Sequence, residues 1–143
     1  MSDKGGLRAV NPPGWPQPKG YANAITGRGR LVFVAGQIGW TAEEKFTTDD
    51  FVGQFEQALR NMAAVLEAAG AGPAHIARMT CYVTDKREYL ARLPEIGRVW
   101  RTVIGRHFPA MALVQVVALV EDRARIEIET TALVPDADDA ERT

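Results

Sequence analysis

The run FPAMALVQVVALVEDRARIEIETTALV, Phe108 to Val134, reads as two strands joined by a short polar turn at Glu121-Asp122-Arg123. Side chains alternate faces along a strand. In the first strand, Ala112 to Leu119, both faces are apolar: Leu113, Val117 and Leu119 on one, Val114, Val116 and Ala118 on the other. Such a strand has to be covered on both sides. The second strand differs, setting Ile126, Ile128, Ala132 and Val134 against Glu127, Glu129, Thr131 and Leu133. A carboxylate on a covered face needs a partner, a wet pocket or a chemical task. Glu127 and Glu129 are therefore the first candidate functional residues, and spacing alone does not choose between them.

Outward from this run, the chain supplies the layers that could cover it. Thr47, Thr48, Asp49 and Asp50 cap a helix whose apolar residues Phe51, Phe55, Leu59, Met62, Leu66 and Ala69 recur at three and four, with Gly70 suited to end it. That stripe is core packing. His75 to Val83 follows as a strand holding Cys81, read as an inert buried thiol. Asp85 and Glu88 form a capping-box-like start to a short turn ending at Arg92. A second helix then runs from Pro94 at its first position to about Ile104, with Ile96, Val99, Trp100 and Val103 inward. Nearer the N-terminus, Tyr21 to Gln37 reads as a hairpin turning at Gly27 and Gly29. Its second strand leaves through Gly36 and Gly39, where a ligand or another backbone could come close.

Residues 1–20 are a proline- and glycine-rich segment in which Leu7 to Val10 could add an edge strand and Trp15 is held on a stiff loop, as a plug at a core edge or the wall of a cleft. Residues 21–135 form the domain proper, and 136–143 are an acidic tail expected to be disordered. The expected order is β-β-α-β-α-β-β, a mixed sheet with two helices in an α+β layer. Two helices cover one face only, so other copies of the chain are expected to cover the second, in a closed homo-oligomer.

Composition sets outer bounds. The 143 residues fit one domain. A net charge of -1 offers no electrostatic case for nucleic acid or an anionic membrane. One cysteine excludes an internal disulfide and any multi-cysteine metal site. No apolar run approaches the ~20 residues of a membrane span, and a cytoplasmic location is expected.

The segments GYANAI (Gly20–Ile25), LVFVAGQIG (Leu31–Gly39), ALRNMAAVLEAAGAGPAHIARMTCYVTD (Ala58–Asp85), FPAMALVQV (Phe108–Val116) and ARIEIETTALV (Ala124–Val134) resemble, in order and spacing, the Rid family of enamine/imine deaminases. The resemblance implies a chorismate-mutase-like fold with two helices on one face of a mixed sheet. It further implies a homotrimer with clefts between subunits, where a reactive imine or enamine is hydrolysed to a carbonyl compound and ammonia without metal or organic cofactor. It points to Glu127 as the catalytic carboxylate that holds or activates water. Tyr21 falls on a cleft tyrosine and Gly36 on a backbone amide facing the ligand. Ala35 replaces a frequent serine, and Leu113 replaces a cysteine whose backbone carbonyl is what matters.

The main departure is Met111. Archetypal members read Pro-Ala-Arg here, the arginine gripping the substrate carboxylate, whereas this chain reads Pro109-Ala110-Met111. An asparagine early in the second helix is also missing, Leu93 and Pro94 standing there. Small 2-imino acids are therefore not the expected substrate, and a larger or aromatic imine is. Arg28, Arg30, Arg101 and Arg106 are candidates for a displaced cation. A small-molecule-binding or chaperone-like trimer is the alternative, and a ribonuclease a third reading disfavoured by charge and by the absence of paired histidines.

Overall fold

The computed structural model describes residues 3–4 and 6–136, so most of the acidic tail lies outside the described residues. Its strands are β1 (Asp3–Lys4), β2 (Leu7–Val10), β3 (Ala24–Thr26), β4 (Arg30–Ile38), β5 (Ile76–Val83), β6 (Ala110–Gln115) and β7 (Ile126–Val134). Its α-helices are α1 (Phe51–Ala68), α2 (Lys86–Leu90) and α3 (Leu93–Val103). β1, β2 and β3 form a small antiparallel sheet, and the main mixed sheet has the order β4-β7-β5-β6. The fold is mixed α+β, as the sequence pattern requires.

Helix α1 forms where its periodicity places it. Asp50 is the N-cap, accepting a hydrogen bond from the Gly53 amide at 3.0 Å. The buried face carries Phe51, Phe55, Ala58, Leu59, Met62 and Leu66, and each large side chain contributes roughly 1.5–3 kcal/mol by leaving water. It packs over β4 and β7 and alongside α3. Met79, Cys81 and Val83 of β5 and Ile126, Ile128 and Ala132 of β7 complete this core. Gln54 is the one polar residue in the stripe. It is fully buried and satisfied: Nε2 donates to the carbonyls of Thr48 and Arg123 at 3.1 and 3.0 Å, and Oε1 accepts from the Arg125 amide at 2.8 Å.

Two expected pairings differ. Phe108–Val134 is not a hairpin, because β5 lies between β6 and β7. The reason is the connection: β5 and β6 are joined through α2 and α3, and a strand–helix–strand crossover sets its two strands parallel and adjacent. Residues 116–125 then cross the end of β5, held by Val116 N–H to Val83 O at 2.8 Å and Thr84 N–H to Arg125 O at 3.2 Å. The first strand accordingly begins at Ala110 and stops at Gln115, and Val117 and Val120 are fully exposed in that crossing.

Nor is Tyr21–Gln37 a hairpin: β3 pairs with β2, while β4 pairs with β7. Gly29 is the switch between the two sheets. A Cβ there would stand 2.6 Å from the Val134 carbonyl carbon, so only glycine lets the chain pass the end of β7 this closely. Smaller corrections follow. Leu93 rather than Pro94 opens α3. Glu88 reaches Arg125 at 2.6 Å instead of closing a capping box. Trp15 is 59% exposed and plugs nothing within the chain.

Candidate functional site

The second face of the main sheet is bare. Leu31 and Phe33 of β4 are 55% and 74% exposed there, beside Glu127, Glu129 and Thr131 of β7 and Arg78, Thr80 and Tyr82 of β5. Glu127 and Glu129 thus project to the face opposite the core, as their alternation demands. Their surroundings separate them. The Tyr82 hydroxyl donates to Glu129 Oε1, an interaction that raises the Tyr82 pKa. Glu127 is half-buried, and its carboxylate forms no hydrogen bond or ion pair among the described residues.

What Glu127 does touch is the irregular part of β4. The β4–β7 register slips between Val34 and Gln37, so Ala35 and Gly36 form a bulge. The Glu127 carboxylate lies over it: a Cβ on Gly36 would stand 2.7 Å from Glu127 Cδ and 3.0 Å from Cγ. At Gly36 the group that comes close is the Glu127 side chain, where a ligand or another backbone was expected. The structure therefore brings Ala35, Gly36 and Glu127 together.

Met111 and Leu113 belong to a different place. They pair in register with Met79 and Cys81, whose side chains are buried on the helix side. Both line a cavity of about 790 Å³ between β6, α1 and α3, together with Phe51, Tyr89, Trp100 and Phe108. Cys81 lines it too, and burial pushes its thiol up to about 12, well out of nucleophile range. Leu93 is also at this cavity. Tyr21 stands beside the start of β6, because the Ala22 amide donates to the Pro109 carbonyl at 2.9 Å. It lines an adjoining cavity of about 440 Å³ that shares Arg106 and Phe108 with the first.

Of the candidate cations, Arg101 and Arg106 line the larger cavity. Arg30 lies elsewhere, near Gly70 and His75, where it and burial lower the His75 pKa, burial being the larger cause. Arg101 was among the candidate cations, whereas the cavity-lining role of Tyr89, Trp100 and Phe108 was not singled out from sequence. Its one available signal was the β5–helix–β6 crossover, which places those residues over Met111 and Leu113. Within one chain the candidate residues form two groups on opposite faces of one sheet: Ala35, Gly36 and Glu127 on the bare face, Met111 and Leu113 on the helix side.

Comparison with known proteins covers both groups. Residues 16–134 match the Endoribonuclease L-PSP family. A 2-iminobutanoate/2-iminopropanoate deaminase of Dermatophagoides farinae is 29% identical over 128 residues, spanning 89% of this chain and 96% of that protein. A RutC family protein of Haemophilus influenzae is 33% identical over 113 residues, spanning 79% and 85%. The crystal structure of a Rid family protein, YyfB from Yersinia pestis, superposes with a TM-score of 0.79 at 32% identity, over 90% of this chain and 98% of that one. RidA from the Antarctic bacterium Psychrobacter sp. gives 0.64 at 27% identity, over 94% and 97%. The matched span runs from the loop before Tyr21 to the end of β7, and the chain belongs to the Rid, or Endoribonuclease L-PSP, family.

Proposed function

We propose that the protein is an imine or enamine deaminase whose site is completed between copies of the chain. In the reaction, water oxygen attacks the imine carbon, the C–N bond breaks, and the nitrogen leaves as ammonia carrying the protons released from water. The observation that carries this reading is the uncommitted Glu127 carboxylate held over the Gly36 bulge on an exposed, partly apolar face. A half-buried carboxylate with no cationic partner is suited to take a proton from water, help worth about 10²–10⁴-fold.

In a closed trimer of chorismate-mutase-like build, the bare face of one copy would meet the β6 edge of the next. Glu127 would thereby approach the cavity that Met111 and Leu113 line. The support is the two-faced distribution of the candidate residues, together with relatives that include named iminobutanoate/iminopropanoate deaminases. Ala35 and Gly36 would present backbone to the ligand, Leu113 a carbonyl, and Tyr21 a flanking ring.

Met111 shifts selectivity away from compact 2-imino acids. A thioether forms no ion pair with a carboxylate, and losing a charge-assisted bond costs about 1.5–3 kcal/mol, roughly ten- to more than a hundredfold in kcat/KM. The test generates imines enzymatically from a panel of amino acids and follows ammonia release. Turnover by the wild type and a hundredfold or greater loss in Glu127→Gln are expected. Unchanged kcat in that variant removes Glu127 from the mechanism. Absence of turnover on every imine leaves the alternative reading, a binding protein, in its place.

A further inference from the structure

The larger cavity is apolar within and cationic at its rim. Phe51, Phe55 and Trp100 are buried in it, and Phe108 stacks on Trp100 with ring centroids 6.4 Å apart and planes 6° from parallel. Lys19, Arg101 and Arg106 also line it, all three exposed, and no carboxylate does. Arg101 is disposed to bind. Its guanidinium folds back over Gly97 on the preceding turn of α3, with Nη1 3.6 Å from where a Cβ on that residue would be. Glycine inside a helix is unfavourable relative to alanine, and here the missing side chain leaves the rim open. Among the described residues Arg101 has no acidic partner.

We infer that the site takes carboxylates bearing a ring-sized apolar body, with the carboxylate held by Arg101 at the rim instead of by a residue at position 111. The inference rests on the site proposed above and names its ligand class. In the single chain the cavity measures about 790 Å³, more than a three- or four-carbon acid fills, leaving room for a ring-bearing body beside whatever a neighbouring copy contributes. Met111 and Leu113 then contact the ligand's body, as a thioether and a branched alkyl group suit. An uncommitted guanidinium is the side chain best matched to a carboxylate, through two parallel N–H bonds. Within one chain no acidic group lines the cavity, so the carboxylate proposed to face the anion is the Glu127 that a neighbouring copy brings.

Titration calorimetry with stable probes tests this on the full chain: 3-phenylpropanoate, its uncharged amide 3-phenylpropanamide, and propanoate. The phenyl acid is expected to bind at least about tenfold more tightly than either of the other two. Arg101→Gln, at an exposed position that does not threaten folding, is expected to weaken the acid to the level of the amide and leave the amide unchanged. Equal binding of acid and amide, no binding of the phenyl acid, or an acid preference that survives in Arg101→Gln overturns the inference. Loss of that preference in Lys19→Gln or Arg106→Gln but not in Arg101→Gln overturns it as well. The titration reads binding alone, so a protein that releases no ammonia from any imine still decides the question.

Discussion

Gly36 and Glu127 were separate candidates in the sequence and are one unit in the structure. Because the carboxyl end of Glu127 occupies the space a Cβ on Gly36 would need, Gly36→Ala should push the carboxylate off its position. The displaced group is the end of a flexible side chain, so the fold should survive with little change in Tm. A displacement near 1 Å can cost on the order of a hundredfold in rate. The expected result is a drop in kcat of roughly ten- to a hundredfold with circular dichroism unaltered. Unaltered kcat would mean the carboxylate works from another position. The same residue scale explains what could not be read beforehand. Glu127 and Glu129 share a face by alternation, and the β5–β7 register sets Tyr82 opposite Glu127, yet its hydroxyl reaches diagonally to Glu129 and leaves Glu127 the uncommitted one.

Among the elements, α1 was the most legible, since its apolar period, its cap and its terminating glycine all agree. Asp50 does two jobs there: it caps the helix and accepts a 3.0 Å contact from Arg92 Nη1, which is the first cause of its lowered pKa, ahead of the Gly53 amide. Asp50→Ala should destabilise by about 1 kcal/mol, and Asp50→Asn, which can still cap, by only a few tenths. Chemical denaturation of both variants checks the order, and equal losses would assign the effect to the ion pair. A carboxylate with a lowered pKa stabilises the fold above its unfolded pKa and loses that contribution as pH falls through the folded value. The gap between wild type and Asp50→Ala should therefore narrow on acidification below the ordinary aspartate range. The strands were legible as strands but not in their partners. β6 is apolar, β7 alternates apolar with polar, and the two lie close in sequence, which imitates a hairpin. The helices between β5 and β6 carried the opposite information, that β6 belongs parallel to β5.

For the whole molecule, the decisive quantity is the uncovered sheet face. Phe33, 74% exposed, and Leu31, 55% exposed, lie on it in the single chain, where they would be covered in the proposed assembly. Phe33→Glu places a charge there without touching the core. Light scattering on a gel-filtered sample is expected to give one trimeric mass for the wild type and a monomeric mass for the variant. A wild-type monomer would sink the assembly, and with it the proposed site.

The split of the candidate residues between the two faces of one sheet also has a genetic consequence. Glu127→Gln spoils only the half a chain offers to its neighbour, while Gly97→Trp, by filling the cavity, spoils only the half it keeps. Neither allele alone should support turnover. Expressed together, or mixed unfolded and refolded, they should complement each other: in random trimers about a quarter of the sites receive a sound glutamate from one chain and a sound cavity from the next. Recovery to about that fraction of wild-type activity would identify each site as the joint property of two polypeptides. No recovery would return both halves to a single chain.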